Sequence, residues 1–87
     1  MNAREMFEEL GYWCDNGTDG ILYAKYIDIK DDIANCHIHF DKVDKTIEKE
    51  VFGAGFSDKY YHSKITLEEY KAIHQQMKEL GWLKDVD

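Results

Sequence analysis

Cysteine and histidine are the residues of this sequence best suited to coordination chemistry, and half of them lie close together. Cys36, His37 and His39 share one short stretch, with Cys14 upstream and His62 downstream. Zinc takes four tetrahedral nitrogen or sulfur ligands. His37 and His39 are two apart, so on a strand both rings leave the same face and form a two-point chelate. Cys14 would supply a third ligand and His62 a fourth. Cys36 points to the opposite face of a regular strand and joins this set only through a bulge. A second grouping is open on that opposite side: Cys14, Cys36 and His74, with His62. The spacing contains no Cys-x-x-Cys pair. A simpler account makes the cysteines small apolar core residues and the histidines solvent-facing. Against it, a short chain without a disulfide framework gains stability from a structural metal. A structural zinc is therefore one expectation.

Catalysis is not expected. Glu48 and Glu50 would face His37 and His39 from a neighbouring strand, as an acid–base pair requires. The same residues serve equally as cross-strand charge pairs on a wet face. There is no nucleophile elbow and no phosphate loop. Gly53-Ala54-Gly55 is too short to cradle a phosphate.

Recognition of a protein partner is the other chemistry available. Phe56, Tyr60 and Tyr61 stand in a stretch without strand pattern, together with Asp58. The strand Ile21 to Asp28 carries Tyr23 and Tyr26, and Asp15, Asp19, Asp28, Asp31 and Asp32 surround it. Aromatic anchors among carboxylates suit a protein interface. The formal net charge is −7, from 18 acidic and 11 basic residues. Nucleic-acid binding needs a basic footprint. The nearest candidate, Lys42 with Lys45 and Lys49, is interleaved with Asp41, Asp44, Glu48 and Glu50. Direct nucleic-acid binding is thus not expected, and a basic protein partner is favoured, since charge complementarity speeds encounter.

These side chains need a scaffold, and 87 residues suffice for one domain, residues 1–87. A chain of this length buries roughly 60–65% of its unfolded surface, so the core is thin. Apolar residues at 44% and aromatics at 14% support a folded protein. No signal peptide, long apolar run or lipidation motif is recognisable, which predicts a cytoplasmic protein with reduced thiols and no membrane contact; a monomer is expected.

The periodicities predict the elements. Asn2 with Glu5 makes a capping box for a helix over residues 2–10, with Ala3, Met6, Phe7 and Leu10 on one face and Gly11 as its stop. Tyr12 to Asp15, Ile21 to Asp28, Asn35 to Asp41 and Thr46 to Phe52 read as strands. Gly53 to Ser63 reads as a loop. Thr66-Leu67-Glu68-Glu69 is a second capping box, opening a helix whose stripe is Leu67, Tyr70, Ile73, Met77 and Leu80, ended by Gly81. Trp82 and Leu83 then fold back onto the core. The expected fold is α+β: an antiparallel meander of three to four strands, flanked by N- and C-terminal helices packed on one face.

The opening Asn2-Ala3-Arg4-Glu5-Met6-Phe7-Glu8-Glu9-Leu10-Gly11-Tyr12 resembles that of a family of small phage and prophage proteins of Gram-positive bacteria. The close, Ala72-Ile73-His74-Gln75-Gln76-Met77-Lys78-Glu79-Leu80-Gly81-Trp82, resembles the same family, as does the strand Ile38-His39-Phe40-Asp41. Together these cover about a third of the chain, and they are scaffold motifs. Some streptococcal phage proteins of this type are type II-A anti-CRISPR proteins. The resemblance implies an inhibitor that binds the host's type II CRISPR nuclease and acts in the host cytoplasm. It also leaves open an accessory phage protein, zinc-stabilised, with another phage or host protein as partner. A specific activity would reside in residues 13–32 and 43–64, which depart from the motifs.

Overall fold

The computed structural model describes residues 1–53, 60–61 and 63–84, with Tyr60 described by its backbone alone. The order is α1 (Ala3–Glu9), β1 (Trp13–Asn16), β2 (Gly20–Ile29), β3 (Asp32–Asp41), β4 (Thr46–Gly53), β5 (Tyr60–Tyr61) and α2 (Leu67–Glu79). The strands form one antiparallel meander in sequence order. This is the α+β fold expected. The fifth strand is an addition: Tyr60 and Tyr61 pair with Phe52 and Val51, within the stretch read as a loop. Its two residues are too few to show an alternating pattern.

Both helices start and stop by the same chemistry. Asn2 and Thr66 accept from the backbone N–H of Glu5 and Glu69, and each glutamate bonds back to the cap N–H. Gly11 and Gly81, at φ of 91° and 76°, adopt the left-handed conformation that glycine tolerates best. Their N–H groups bond to the carbonyls of Glu8 and Lys78, and those of Tyr12 and Trp82 reach Phe7 and Met77. Each Leu-Gly-aromatic segment is thus a Schellman turn that aims its ring back at the core.

The helices cover one face of the sheet. Phe7 is fully buried at its centre. Its ring stacks on Tyr23 at 3.8 Å and meets Tyr12 and Phe40 edge-on at 5.5 and 6.2 Å. Ile38, Cys36, Val51, Ala72 and Ile73 complete this core, and Trp82 packs against it, as expected. The stripe expected on α2 faces the core at Ile73, Met77 and Leu80 but not at Leu67 and Tyr70. The buried positions of the helix are Glu69, Ala72, Ile73 and Gln76, while Leu67 and Tyr70 are exposed. Two polar side chains occupy the core side because the sheet offers them partners. Tyr23 donates to Gln76, and Glu69 meets Lys49 and Tyr12.

Candidate interaction surface

The register fixes what each sheet face carries. Tyr23 pairs with Cys14 and Ile38, and Cys36 with Lys25 and Val51, all on the helix-covered face. The alternate positions project to the other face, where no described element covers them. One cross-strand row there runs Trp13, Ala24, His37, Glu50, and the next runs Asp15, Leu22, His39, Glu48. Towards the β2–β3 turn follow Tyr26, Asn35 and Phe52, then Asp28 and Ile33.

The face divides into two zones. At the first, Trp13 and Tyr26 are 47% and 63% exposed, with ring centroids 5.5 Å apart, and Ile33 is 52% exposed. Three large apolar groups exposed on one open sheet face make it a candidate interaction surface. At the second zone, Leu22, His37, His39, Glu48 and Glu50 line a concavity of about 270 Å³. The His37 ring meets Phe52 edge-on at 4.9 Å, and burial lowers its pKa from the ordinary 6.5. Glu50 titrates above the ordinary 4.5, because it shares a hydrogen bond with Glu48, is partly desolvated and is repelled by that second carboxylate. Among the described strand residues that project from this face there is no lysine or arginine, whereas Asp15, Asp28, Asp41, Glu48 and Glu50 all do.

The residues anticipated from the sequence are dispersed. His37 and His39 share the open face, as their spacing requires. Cys14 and Cys36 lie on the covered face, so the sheet stands between them and the two imidazoles. The joint set of Cys14 with His37 and His39 is thus not assembled, because Cys14 pairs with Tyr23 rather than with an open-face residue. His74, of the second grouping, is exposed beside Tyr70. His62, Phe56 and Asp58 lie outside the described residues. Among the described residues no three His, Cys, Asp or Glu side chains form a group able to hold a metal ion. Asp28 is on the open face and Asp31 is exposed in the β2–β3 turn. Asp32 is half-buried and accepts from the Tyr61 hydroxyl at 2.7 Å. Tyr61 therefore packs against the core rather than standing out as an anchor.

Trp13 and Ile33 were not singled out by the sequence. Alternation carried the signal for Trp13: once Cys14 faces the core, its neighbour faces away. Tyr23 and Tyr26 are three apart and so leave opposite faces.

A second cluster, also unanticipated, lies inside. Lys49 of β4 donates to Glu69 Oε1 at 2.8 Å, and their side chains are only 10% and 6% exposed. Lys49 also donates to the carbonyl of Lys64. Tyr12 donates its hydroxyl proton to Glu69 Oε2, which leaves the Cys36 thiol, 3.3 Å away, to donate to the phenol oxygen. Burial, then the bonds to Cys36 and Glu69, push the Tyr12 pKa up, so the phenol stays protonated. Burial alone would raise the pKa of Glu69. The bonds from Lys49, Tyr12 and the Thr66 N–H outweigh it, and the carboxyl titrates below the ordinary 4.5. This network ties the exit of α1, β3, β4 and the start of α2 together. Its Lys49 and Glu69 side chains are nearly buried, so its bonds pin these elements to one another.

Among the described residues no helix is long and apolar enough to cross a membrane. The chain matches no protein-family model, no curated protein and no solved structure.

Proposed function

We propose that this protein is a binding protein that docks a host protein through the open face of its sheet, and that the type II CRISPR nuclease is that host protein. One observation carries the docking face: Trp13, Tyr26 and Ile33 stand exposed on a sheet surface whose described strand residues include carboxylates and no lysine or arginine. A solvent-exposed sheet face gains nothing from such rings in isolation, while a partner that covers them recovers roughly 25 cal/mol for each Å² of apolar area. The acidic surroundings select a positively charged partner and repel nucleic acid. The choice of the nuclease rests on the resemblance of the two terminal motifs to streptococcal phage inhibitors. That nuclease holds its nucleic acids in positively charged channels, which an acidic protein approaches readily.

The test is guided DNA cleavage by a streptococcal type II nuclease, with the protein added before or after the target DNA. Cleavage is expected to fall at near-stoichiometric protein, and the order of addition identifies the blocked step. Full cleavage at large excess would discard that nuclease as the partner. The docking face would then be assigned to another phage or host protein.

A further inference from the structure

We infer that the open face recognises an extended, arginine-bearing segment of its partner, one guanidinium stacking on the Trp13–Tyr26 rings and a second entering the concavity between Glu48 and Glu50. The inference rests on the docking reading above and specifies its chemistry.

The two zones ask for the same side chain by different means. Guanidinium is planar, stacks on aromatic faces and is less strongly hydrated than ammonium. Trp13 and Tyr26 offer two exposed rings at 5.5 Å, tilted by 48°, with Asp15 and Asp28 on the same face. Glu48 and Glu50 are two apart on β4, so their carboxylates are neighbours, and they repel one another when both are charged. A guanidinium presents five donors in a rigid fork and bonds both carboxylates at once, converting the repulsion into attraction. The groups facing that pair from β3 are His37 and His39, and from β2 Leu22; none is a permanent cation. The permanent cations of the strands, Lys25 and Lys49, are committed on the covered face, to the Leu10 carbonyl and to Glu69.

Geometry links the zones. Trp13 and Glu50 end one row across four strands, with Ala24 as the small residue between the rings of Trp13 and His37. Three inter-strand spacings amount to about 14 Å, which is the reach of about four extended residues. Two arginines four positions apart leave the same side of an extended segment and would engage both zones.

The test uses a short glycine-serine peptide with two arginines at that spacing, and its citrulline counterpart, which keeps the shape and loses the charge. Each is titrated into the isotopically labelled full chain by NMR. The arginine peptide is expected to shift the indole N–H of Trp13 and the His37 and His39 signals, and the citrulline peptide to leave them in place. Glu48→Gln with Glu50→Gln is expected to weaken binding about tenfold, the loss of one charge-assisted contact. Glu8→Gln with Glu68→Gln, an equal change of charge on the exposed helices, is expected to leave it unchanged. Equal weakening by both pairs, or shifts confined to the helices, would reduce the effect to general acidity and overturn the inference. The nuclease assay fails separately: unimpaired cleavage alongside a discriminating peptide titration discards the nuclease and keeps the arginine site.

Discussion

Replacing Lys49 with methionine tests the physics of the interior most directly. The substitution keeps the stem and removes the ammonium, so Glu69 is left 4% exposed with an uncompensated charge. Breaking a buried ion pair from one side costs about 3–5 kcal/mol. A chain of this length has a total stability of about 4–13 kcal/mol. One kcal/mol corresponds to about 4–8 °C in a domain this small, so Tm should fall by at least about 12 °C. Adding Glu69→Gln removes the stranded charge, keeps an acceptor for the Thr66 N–H and turns its amide NH2 on the Tyr12 oxygen, whose own proton can then go to Cys36, and should recover more than half of the loss. Circular dichroism melts of the three proteins, at equal concentration and pH, supply the comparison. A Lys49→Met shift within about 2 °C of wild type, or a double variant less stable than the single, would refute the reasoning. The pH dependence has a fixed sign. The folded pKa of Glu69 lies below its ordinary 4.5. Its contribution is therefore complete above that value and is lost as pH falls through the folded pKa. Wild type should lose stability over that acid range more steeply than the Lys49→Met, Glu69→Gln protein.

Further outcomes follow from other contacts. Phe7→Ala, which empties the ring cluster over Tyr23 and Phe40, should cost about 3–5 kcal/mol and leave little folded protein by circular dichroism. Lys30 and Asp31 both have positive φ, 45° and 68°, in the two-residue β2–β3 connection. Asn-Gly at these positions suits such a turn, and Lys30→Asn with Asp31→Gly should raise stability by about 1 kcal/mol in a denaturant titration. A Cβ on Gly20 would stand 2.6 Å from His39 Nε2 and 2.9 Å from the Phe40 carbonyl oxygen. Gly20→Ala should therefore lower Tm, since the backbone oxygen cannot swing away as a side chain can. Because the sheet separates Cys14 and Cys36 from His37 and His39, melts with and without a strong chelator should superimpose; a drop on chelation would return a structural zinc to the protein.

Both helices, their caps and stops, and four of the strands were legible in the residues alone, because these depend on local chemistry. Asn2 and Thr66 cap whatever follows them, glycine at 11 and 81 ends a helix whatever surrounds it, and alternation from Asn35 to Phe40 separates imidazoles from Cys36. Which rings stand in solvent was a tertiary decision. Tyr61 is drawn inward by Asp32, a residue of another strand, and Trp13 is turned outward only because Cys14 pairs with Tyr23 on the covered face. The polar positions of α2 were also decided there. A helical stripe read from hydrophobicity places Leu67 and Tyr70 inside. The fold buries Glu69 and Gln76 instead, because Lys49, Tyr12 and Tyr23 wait opposite them with hydrogen bonds. Local pattern sets where an element begins and which positions share a face. The partner across the core, often dozens of residues away, sets which face is inside.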